Sequence, residues 1–361
     1  MSQHPLVEAA RRLATDLLAP AAADVDASGV PLSHLRAIAD AGLLGLAAPA
    51  DTGGAGATAG VFREVTELLA GADASTWFVQ AQHHGVVRML VGNPSPAADR
   101  YLPRLARGEL LAGFAFSHLR RYPDRPVTAS RDAGGWRLDG VAPWYTGWGL
   151  NDVAFLSGMT DEGDVVFGAV PATEGAGVSV KTRLRTSALD AAQTVVLALD
   201  AVFVADADVA LRQPHAGWLA GDAVVANANP AIFGVAHSAV QLLYETGTAR
   251  DEPATINAAA VFAERVADVR TRCYALADDV APDQAVDERL ALRAEALEVL
   301  VAVTSALVAS GAGPAMSSSA PAQRKAREAL FLLVQAQTAP ARAATLDRWS
   351  ATARAYREQH G

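Results

Sequence analysis

The sequence predicts an α+β protein of several units, in which helices come first, strands follow and helices return. Apolar residues recur at helical spacing at both ends of the chain, whereas short apolar segments separated by glycine, proline and aspartate fill the middle. This change of pattern predicts an N-terminal all-helical domain over 1–110, a middle β-barrel or sandwich over 111–208, and a C-terminal helical bundle over 209–361. The 361 residues are enough to bury a core in each unit.

Composition and charge exclude several classes of function. The chain is 51% hydrophobic and carries a net charge of −9 with an isoelectric point near 5.4, so nucleic-acid binding is not expected. The only cysteine, Cys273, rules out an intrachain disulfide and a cysteine-rich metal site, and we expect no metal. No charged-then-apolar leader and no apolar stretch of 18 residues is visible, so we expect a cytoplasmic protein without a membrane span.

The local patterns place the elements. Helices are predicted over 5–47 with a break at 29–31, over 60–92 and over 95–107, and the glycine-rich segment 49–56 is predicted as a turn. Five strands are predicted over 111–117, 135–141, 164–170, 178–180 and 194–199. Residues 216–360 are again helical, with breaks at 251–253, 281–282 and 311–314.

Five segments resemble the acyl-CoA dehydrogenase superfamily, and together they span essentially the whole chain. These segments are Ala41–Gly56, Tyr101–Glu109, Gly113–Ser117, Gly134–Gly147 and Pro321–Thr338. The first is similar to the pattern Ala-Gly-Leu-x-Gly-x-x-x-Pro-x-x-x-Gly-Gly-x-Gly at the same spacing throughout. The fourth is similar to a Trp-x-Thr signature, and the last is similar to Pro-x-x-(Arg/Lys)-x-x-Arg-Asp-Ala.

The resemblance implies an acyl-CoA dehydrogenase-like fold and a flavoprotein that oxidises the CH–CH bond of an acyl thioester with hydride transfer to FAD. It places Ser117 and Thr146 near the polar edge of the flavin ring and Trp144 against the ring's face. The cofactor-binding residues that it implies are Phe116, Ser117, Trp144, Thr146, Gly313 and Thr338. Apart from the resemblance, Trp144 and Thr146 also suit an ordinary strand.

The chain departs from the superfamily where a catalytic base is expected. The superfamily's Tyr-Glu-Gly-Thr places a glutamate nine residues after the second arginine, and here Arg327 plus nine is Ala336. Some members place the base earlier, at a position that corresponds to Val224, and the nearest carboxylate there is Asp222. Because a methyl group cannot accept the α-proton, the catalytic base is not identified.

Two histidines are weak candidates for the missing base. His84 lies at a helix position similar to that of an active-site histidine in the flavin monooxygenases of the superfamily, and His118 lies in the loop after the flavin strand. An ordinary hydrogen-bonded histidine is the alternative interpretation of both. The loop Ser117–Asp124 itself replaces the superfamily's Thr-Glu-Pro-x-x-Gly-Ser-Asp, so the substrate side of the site differs.

The residues expected at the flavin pyrophosphate are also altered. Arg250 is shifted in register from the superfamily's Arg-x-x-Phe-Gly, and Ala309–Gly313 retains only Gly313 of Gln-x-x-Gly-Gly. FMN in place of FAD, or a partner subunit that completes the FAD site, is therefore compatible with the sequence.

Three functions remain open at this point. The first is oxidation of an acyl-CoA or another acyl thioester, which we favour; the second is a flavin-dependent monooxygenase on the same fold. The third is a non-catalytic subunit that completes a heteromeric acyl-CoA dehydrogenase. A homo- or hetero-oligomer is expected, and the apolar stripe of Leu297, Leu300, Val301 and Leu307 is interpreted either as a partner contact or as core.

Overall fold

The computed structural model describes residues 4–221 and 225–360 of the chain. These residues divide into two compact units. The first comprises the described residues up to Val65 together with Ser75–Gly221, and the second comprises Thr66–Ala74 with the described residues after Gly221. None of the helices that the structure describes is long and apolar enough to cross a lipid bilayer.

Helices occupy the N-terminal part of the chain, as the periodicity predicts. They are α1 (Pro5–Leu13), a π-helical turn (Ala14–Leu18), α2 (Ala19–Ser28), α3 (Leu32–Asp40), α4 (Ala59–Ala72), α5 (Ala74–Gly92) and α6 (Pro96–Ala106). The predicted break is real, because α2 ends at Gly29 with a φ of 105° and Pro31 precedes α3. Ser95 caps α6, accepting a hydrogen bond from the Ala98 amide at 3.1 Å.

Eight strands form one sheet in the middle of the chain. They are β1 (Ala112–Ala115), β2 (Val127–Asp132), β3 (Gly135–Tyr145), β4 (Val153–Met159), β5 (Asp164–Pro171), β6 (Val178–Arg183), β7 (Val195–Ala205) and β8 (Val209–Pro214). The hydrogen-bonded order is β6-β7-β3-β2-β4-β5-β8, and β1 pairs with β4 in parallel. Buried side chains from β1 to β7 share one interior cluster, so the predicted barrel-like unit is confirmed as a single curved sheet.

The sheet contains three strands that the sequence interpretation missed. All seven residues of β4 are buried, and the apolar residues 153–156 with which it begins are typical of a strand covered on both faces. Strand β2 is polar, and its identity depends on its pairing with β3. Strand β8 pairs with β5, so the sheet extends six residues past the boundary predicted at residue 208. A short helix, α7 (His215–Gly221), follows β8.

The second unit is a helical bundle, as predicted. Its helices are α8 (Pro230–Arg250), α9 (Pro253–Asp279), α10 (Val286–Gly311), α11 (Pro321–Val334) and α12 (Ala339–His360). Of the stripe, Leu297, Leu300 and Leu307 are at most 3% exposed and belong to the core, whereas Val301 is only partly buried. Helix α8 approaches α4 closely at Gly234, where a Cβ atom would lie 2.1 Å from the carbonyl oxygen of Glu67.

Candidate functional site

Strand β3 ends in an irregularity that exposes a tryptophan. Its pairing with β7 shifts register between Ala142 and Tyr145, and Trp144, inside this bulge, has a φ of 61°. A left-handed backbone costs a bulky L-residue about 1–2 kcal/mol, and such residues persist where the surrounding structure holds them. The Trp144 side chain is 57% exposed, so burial of this side chain in the core does not compensate the strain. Strained residues cluster at ligand sites, so Trp144 is the first candidate contact.

A buried polar network holds the residues beside Trp144. The Asn151 amide donates to the Tyr145 hydroxyl at 3.1 Å and to the Thr146 carbonyl at 3.0 Å. Burial raises the pKa of Tyr145, so its hydroxyl stays neutral. The Thr146 and Thr194 hydroxyls are 3.0 Å apart, and Thr146 is 2% exposed. The Thr146 hydroxyl is therefore held by Thr194 inside the protein, and its position near the flavin edge stays a prediction.

The loop between β6 and β7 adds further left-handed residues next to this network. Leu189 and Gln193 have φ values of 55° and 53°. The Gly147 amide donates to the Ala192 carbonyl at 2.9 Å, and the Trp148 amide donates to the Gln193 carbonyl at 3.2 Å. The backbone after Trp144 is therefore fixed by two chain segments, which explains how the strained conformation is maintained.

The end of β1 lies next to the end of β3, as the resemblance implies. The Ser117 hydroxyl is 3.5 Å from the carbonyl oxygen of Pro143, the residue before Trp144. This contact is at the long limit for a hydrogen bond, and Ser117 is only partly buried, so its hydroxyl can donate to another acceptor. Phe116 is also partly buried, and its ring centroid lies 4.5 Å from that of Phe114.

His118 is buried behind this strand end. Its Nε2–H donates to the Ser157 carbonyl at 2.9 Å, which fixes the proton on Nε2, and Nδ1 has no hydrogen-bond partner among the described residues. Burial lowers the pKa of His118 to about 4. The imidazole is therefore neutral at pH 7 and only 1% exposed. As a candidate base, His118 has a pKa too low for efficient proton abstraction near pH 7, and its ring is shielded from solvent.

His84 has a similar environment in α5. Its Nε2 is 3.0 Å from the Gln80 side-chain nitrogen, and its ring meets the Phe62 ring edge-on at a centroid distance of 5.0 Å. Burial, followed by the neighbouring His83 and Arg88, lowers the pKa of His84 well below its ordinary value. The interpretation of His84 as an ordinary buried histidine is favoured by these contacts over its assignment as a base.

The segment that carries Ala336 is held by a buried arginine of α10. Ala336 has a φ of 52° and lies between α11 and α12. The Arg293 guanidinium is 3% exposed, and its Nη2 donates to the carbonyls of Gln335 at 2.9 Å and Ala336 at 3.3 Å. Its Nη1 donates to the Val225 carbonyl. The sequence interpretation missed Arg293, although an arginine among the apolar residues of a predicted helix was a visible signal.

Arg293 therefore joins the two segments in which superfamily members place their base. One is the segment of Ala336, and the other is the start of the chain that leads into α8. The alternative base position itself, Val224 with the nearby Asp222, lies outside the described residues. At Ala336 the described chain presents a methyl group, so this position supplies no proton acceptor.

The remaining candidates lie in the second unit and are separated there. Gly313 begins an exposed 3₁₀ turn, and the Arg250 guanidinium reaches this region by donating to the Ser310 carbonyl at 2.5 Å. Thr338 accepts a hydrogen bond from the Ala341 amide at 3.4 Å at the start of α12. The shifted register of Arg250 thus still brings a cation to the glycine turn, whereas Thr338 acts as a helix cap.

A family model and one characterised relative match parts of the chain. Residues 2–109 match the model for the N-terminal domain of acyl-CoA dehydrogenases. A 3-sulfinopropanoyl-CoA desulfinase of Paraburkholderia xenovorans (strain LB400) is 29% identical over 169 residues, which is 43% of this chain. The matched part spans only 41% of the length of that relative.

The fold is shared with solved structures at low sequence identity. Butyryl-CoA dehydrogenase from Megasphaera elsdenii is 19% identical, with a TM-score of 0.80 over 97% of this chain and 99% of that one. Dibenzothiophene monooxygenase from Paenibacillus sp. A11-2 is also 19% identical, with a TM-score of 0.81 over 96% of this chain and 97% of the other. Residues 2–109 are thus similar to the N-terminal domain of acyl-CoA dehydrogenases, and the chain shares its fold with the solved structures.

The residues of the first unit fit one side of a flavin ring. Trp144 offers an exposed aromatic face and Ser117 an available hydroxyl at the junction of β1 and β3. A planar, electron-poor ring system matches an aromatic face with a hydrogen-bond donor beside it. Thr146 supports this junction through its hydrogen bond with Thr194, and its contact with a flavin stays a prediction.

Proposed function

We propose that the chain is a flavoprotein that binds FAD through the junction of β1 and β3 and oxidises an acyl thioester. The observation that carries the proposal is the backbone of Trp144, whose left-handed φ and 57% exposure are maintained by two neighbouring segments. Strain of this kind is retained where a side chain must be presented to a ligand. The superfamily fold supports an acyl thioester as the substrate, although fold alone does not determine function.

In this proposal Trp144 packs on the ring, while Ser117 and Phe116 contact its edge. In the second unit, taken by itself, the Arg250 cation contacts the Ser310 carbonyl just before the turn that Gly313 begins, and a cation beside a glycine turn suits a phosphate group. Thr338 supports the start of α12. A bound flavin supplies the acceptor for the hydride that leaves the β-carbon of the acyl chain. The protein excludes water and orients the thioester.

The lack of a proton acceptor among the candidate positions favours a second candidate function. Ala336 offers no proton acceptor, and His84 and His118 are buried and neutral. A flavin-dependent monooxygenase needs no base at an α-carbon, so this chemistry is the alternative that the absent carboxylate supports. A subunit that completes the FAD site of a partner dehydrogenase is the third, because Ala309–Gly313 retains only Gly313 of the glycine motif.

The proposal also includes a cytosolic oligomer. Leu330 and Val334 on α11 and Leu346 on α12 are each more than half exposed, and apolar exposure on one helical unit supports association with another copy or a related chain.

A flavin-binding measurement, followed by assays of flavin bleaching and oxygen uptake, distinguishes the three functions. The purified protein is titrated with FAD and with FMN, and flavin fluorescence quenching gives each dissociation constant. Flavin bleaching by an acyl-CoA without oxygen supports dehydrogenation, whereas substrate-dependent oxygen uptake with reduced flavin supports monooxygenation. If neither flavin binds to the isolated chain, both enzyme proposals fail, and flavin retention only with a co-purifying partner supports the subunit function.

A further inference from the structure

A continuous series of aromatic rings leads from the core of the first unit to its surface. The ring centroids of Phe116 and Trp218 are 6.3 Å apart, those of Trp218 and His215 are 5.8 Å apart, and those of His215 and Tyr122 are 4.6 Å apart. Phe116 continues the series inwards through Phe114 at 4.5 Å. We name Phe116, Trp218, His215 and Tyr122 the aromatic wall.

Hydrogen bonds attach the two segments of the aromatic wall to the sheet and to each other. His215, at the start of α7, donates from Nε2 to the Leu119 carbonyl at 2.9 Å in the loop after β1. The His215 amide donates to the Gly163 carbonyl at 3.0 Å. These two bonds hold His215, and with it the start of α7, against the loop after β1, which reduces the ordering needed before a ligand stacks on the rings.

The aromatic wall is partly open to solvent. Tyr122 is 51% exposed, and Phe116, His215 and Trp218 are only partly buried. Phe, Trp and Tyr make up only 6% of the chain, so three of them beside one another in the aromatic wall are a notable local enrichment. Contiguous exposed apolar surface on a protein marks an interaction site, and stacked rings favour a planar aromatic ligand over a flexible aliphatic chain.

We propose that the aromatic wall selects acyl thioesters whose acyl group carries an aromatic ring, an inference that rests on the proposed function. The wall begins at Phe116, directly before Ser117, which is the residue assigned to the flavin edge. The acyl group is the part of the substrate that must lie beside the flavin, so its ring, and not the distant adenine of the coenzyme, meets the wall. The Arg120 guanidinium, 5.3 Å from the Phe116 ring, adds a cation that attracts π-electron density.

The test compares three thioesters on the flavin-loaded protein by calorimetric titration. Phenylacetyl-CoA carries the aromatic acyl group, hexanoyl-CoA lacks it, and the phenylacetyl thioester of N-acetylcysteamine lacks the adenine. We expect phenylacetyl-CoA to bind roughly three- to tenfold more tightly than hexanoyl-CoA. Trp218→Leu, and separately Tyr122→Leu, lowers this ratio towards one. Trp349→Leu, which removes a 40% exposed tryptophan of α12, leaves the ratio unchanged.

The outcomes distinguish the aromatic wall from the proposed function. If the parent protein binds phenylacetyl-CoA and hexanoyl-CoA with equal affinity, the aromatic wall does not select aromatic acyl groups. The proposal that the protein binds acyl thioesters is then unaffected. A ratio that Trp218→Leu and Tyr122→Leu do not change also overturns the wall's role. If hexanoyl-CoA binding drops with these variants while the N-acetylcysteamine thioester is unaffected, the adenine occupies the wall and the proposal is wrong. If no thioester binds, both proposals fail.

Discussion

The Arg293 guanidinium donates a hydrogen bond of 3.3 Å to the carbonyl oxygen of Ala336, the residue at which superfamily members carry their base. The same guanidinium binds the carbonyl of Gln335 at 2.9 Å. The segment is thus fixed through its backbone, independently of the side chain at position 336. A substitution at position 336 is therefore expected to leave these backbone contacts in place.

Ala336→Glu is expected to introduce a proton acceptor without rebuilding the segment. In the flavin-loaded protein, the rate of flavin reduction by an acyl-CoA should rise about 100-fold or more, which is the usual contribution of a positioned base. Stopped-flow absorbance without oxygen measures the rate. Ala336→Gln, which has the same shape and no basic oxygen, is the matched control. Equal rates in the two variants would argue that position 336 does not face the reacting carbon.

Arg293→Met is expected to destabilise the second unit by about 3 kcal/mol, because it removes a buried guanidinium and leaves the partly buried carbonyls of Val225, Gln335 and Ala336 without this donor. Arg293→Lys should recover part of this loss. Urea unfolding monitored by circular dichroism gives the free energies. As a control, Arg272→Met removes an exposed pair with Glu295 and should cost at most about 1 kcal/mol. If both methionine variants lowered the free energy of unfolding by a similar, small amount, Arg293 would not stabilise the segment of Ala336.

Trp144→Gly is expected to raise the stability of the protein and to lower its affinity for flavin. Glycine adopts the left-handed conformation without strain, so the free energy of unfolding should rise by about 0.5–1 kcal/mol after the entropy cost of glycine. Flavin affinity should fall about tenfold or more, because the aromatic face is lost. Ala201→Gly, at another exposed left-handed residue with a φ of 48°, should stabilise similarly without changing flavin affinity. Unchanged flavin affinity in Trp144→Gly would exclude Trp144 from the cofactor site.

The buried histidines predict a loss of stability in mild acid. Burial holds the pKa of His118 at about 4 in the folded state, below its ordinary value of 6.5. Between pH 6.5 and 4 the unfolded chain binds a proton that the folded chain does not, so stability falls as the pH falls. Each such histidine contributes a slope of about 1.4 kcal/mol per pH unit.

His118→Gln keeps a donor for the Ser157 carbonyl and removes the titrating group. Its unfolding free energy, measured by urea titration at several pH values, should therefore decrease less steeply than that of the parent protein over this range. His83, whose pKa burial also lowers to about 4, should preserve part of the slope. An identical slope in the parent and the variant would show that His118 is not buried neutral in solution.

The order of elements could be predicted because it depends on local periodicity. Helical spacing identified both helical regions, and the Gly29 and Pro31 break was correct because those residue types restrict the backbone wherever they occur. Strand β4 could also have been found from the apolar residues 153–156 with which it begins. The polar β2 could not, because only its partner β3 makes it a strand.

The candidate site was predictable in part. The β1 and β3 segments were matched from motif residues, and the 3.5 Å distance between the Ser117 hydroxyl and the Pro143 carbonyl brings them together. The left-handed backbone of Trp144 has no sequence signal, because tryptophan at such a position depends on tertiary restraint. The pairing of Thr146 with Thr194 joins residues 48 positions apart, so the motif alone could not show that this hydroxyl has a partner within the protein.

The most direct test of the central claim is the absorbance spectrum of the FAD-loaded protein before and after an acyl-CoA is added without oxygen. The account predicts that FAD binds to the parent protein with a Trp144-dependent spectrum and that the acyl-CoA bleaches it. The slow rate expected without a base at position 336 should be raised by Ala336→Glu. A protein that binds no FAD, or one in which bound FAD stays oxidised with every acyl-CoA in both the parent and Ala336→Glu, would contradict the account.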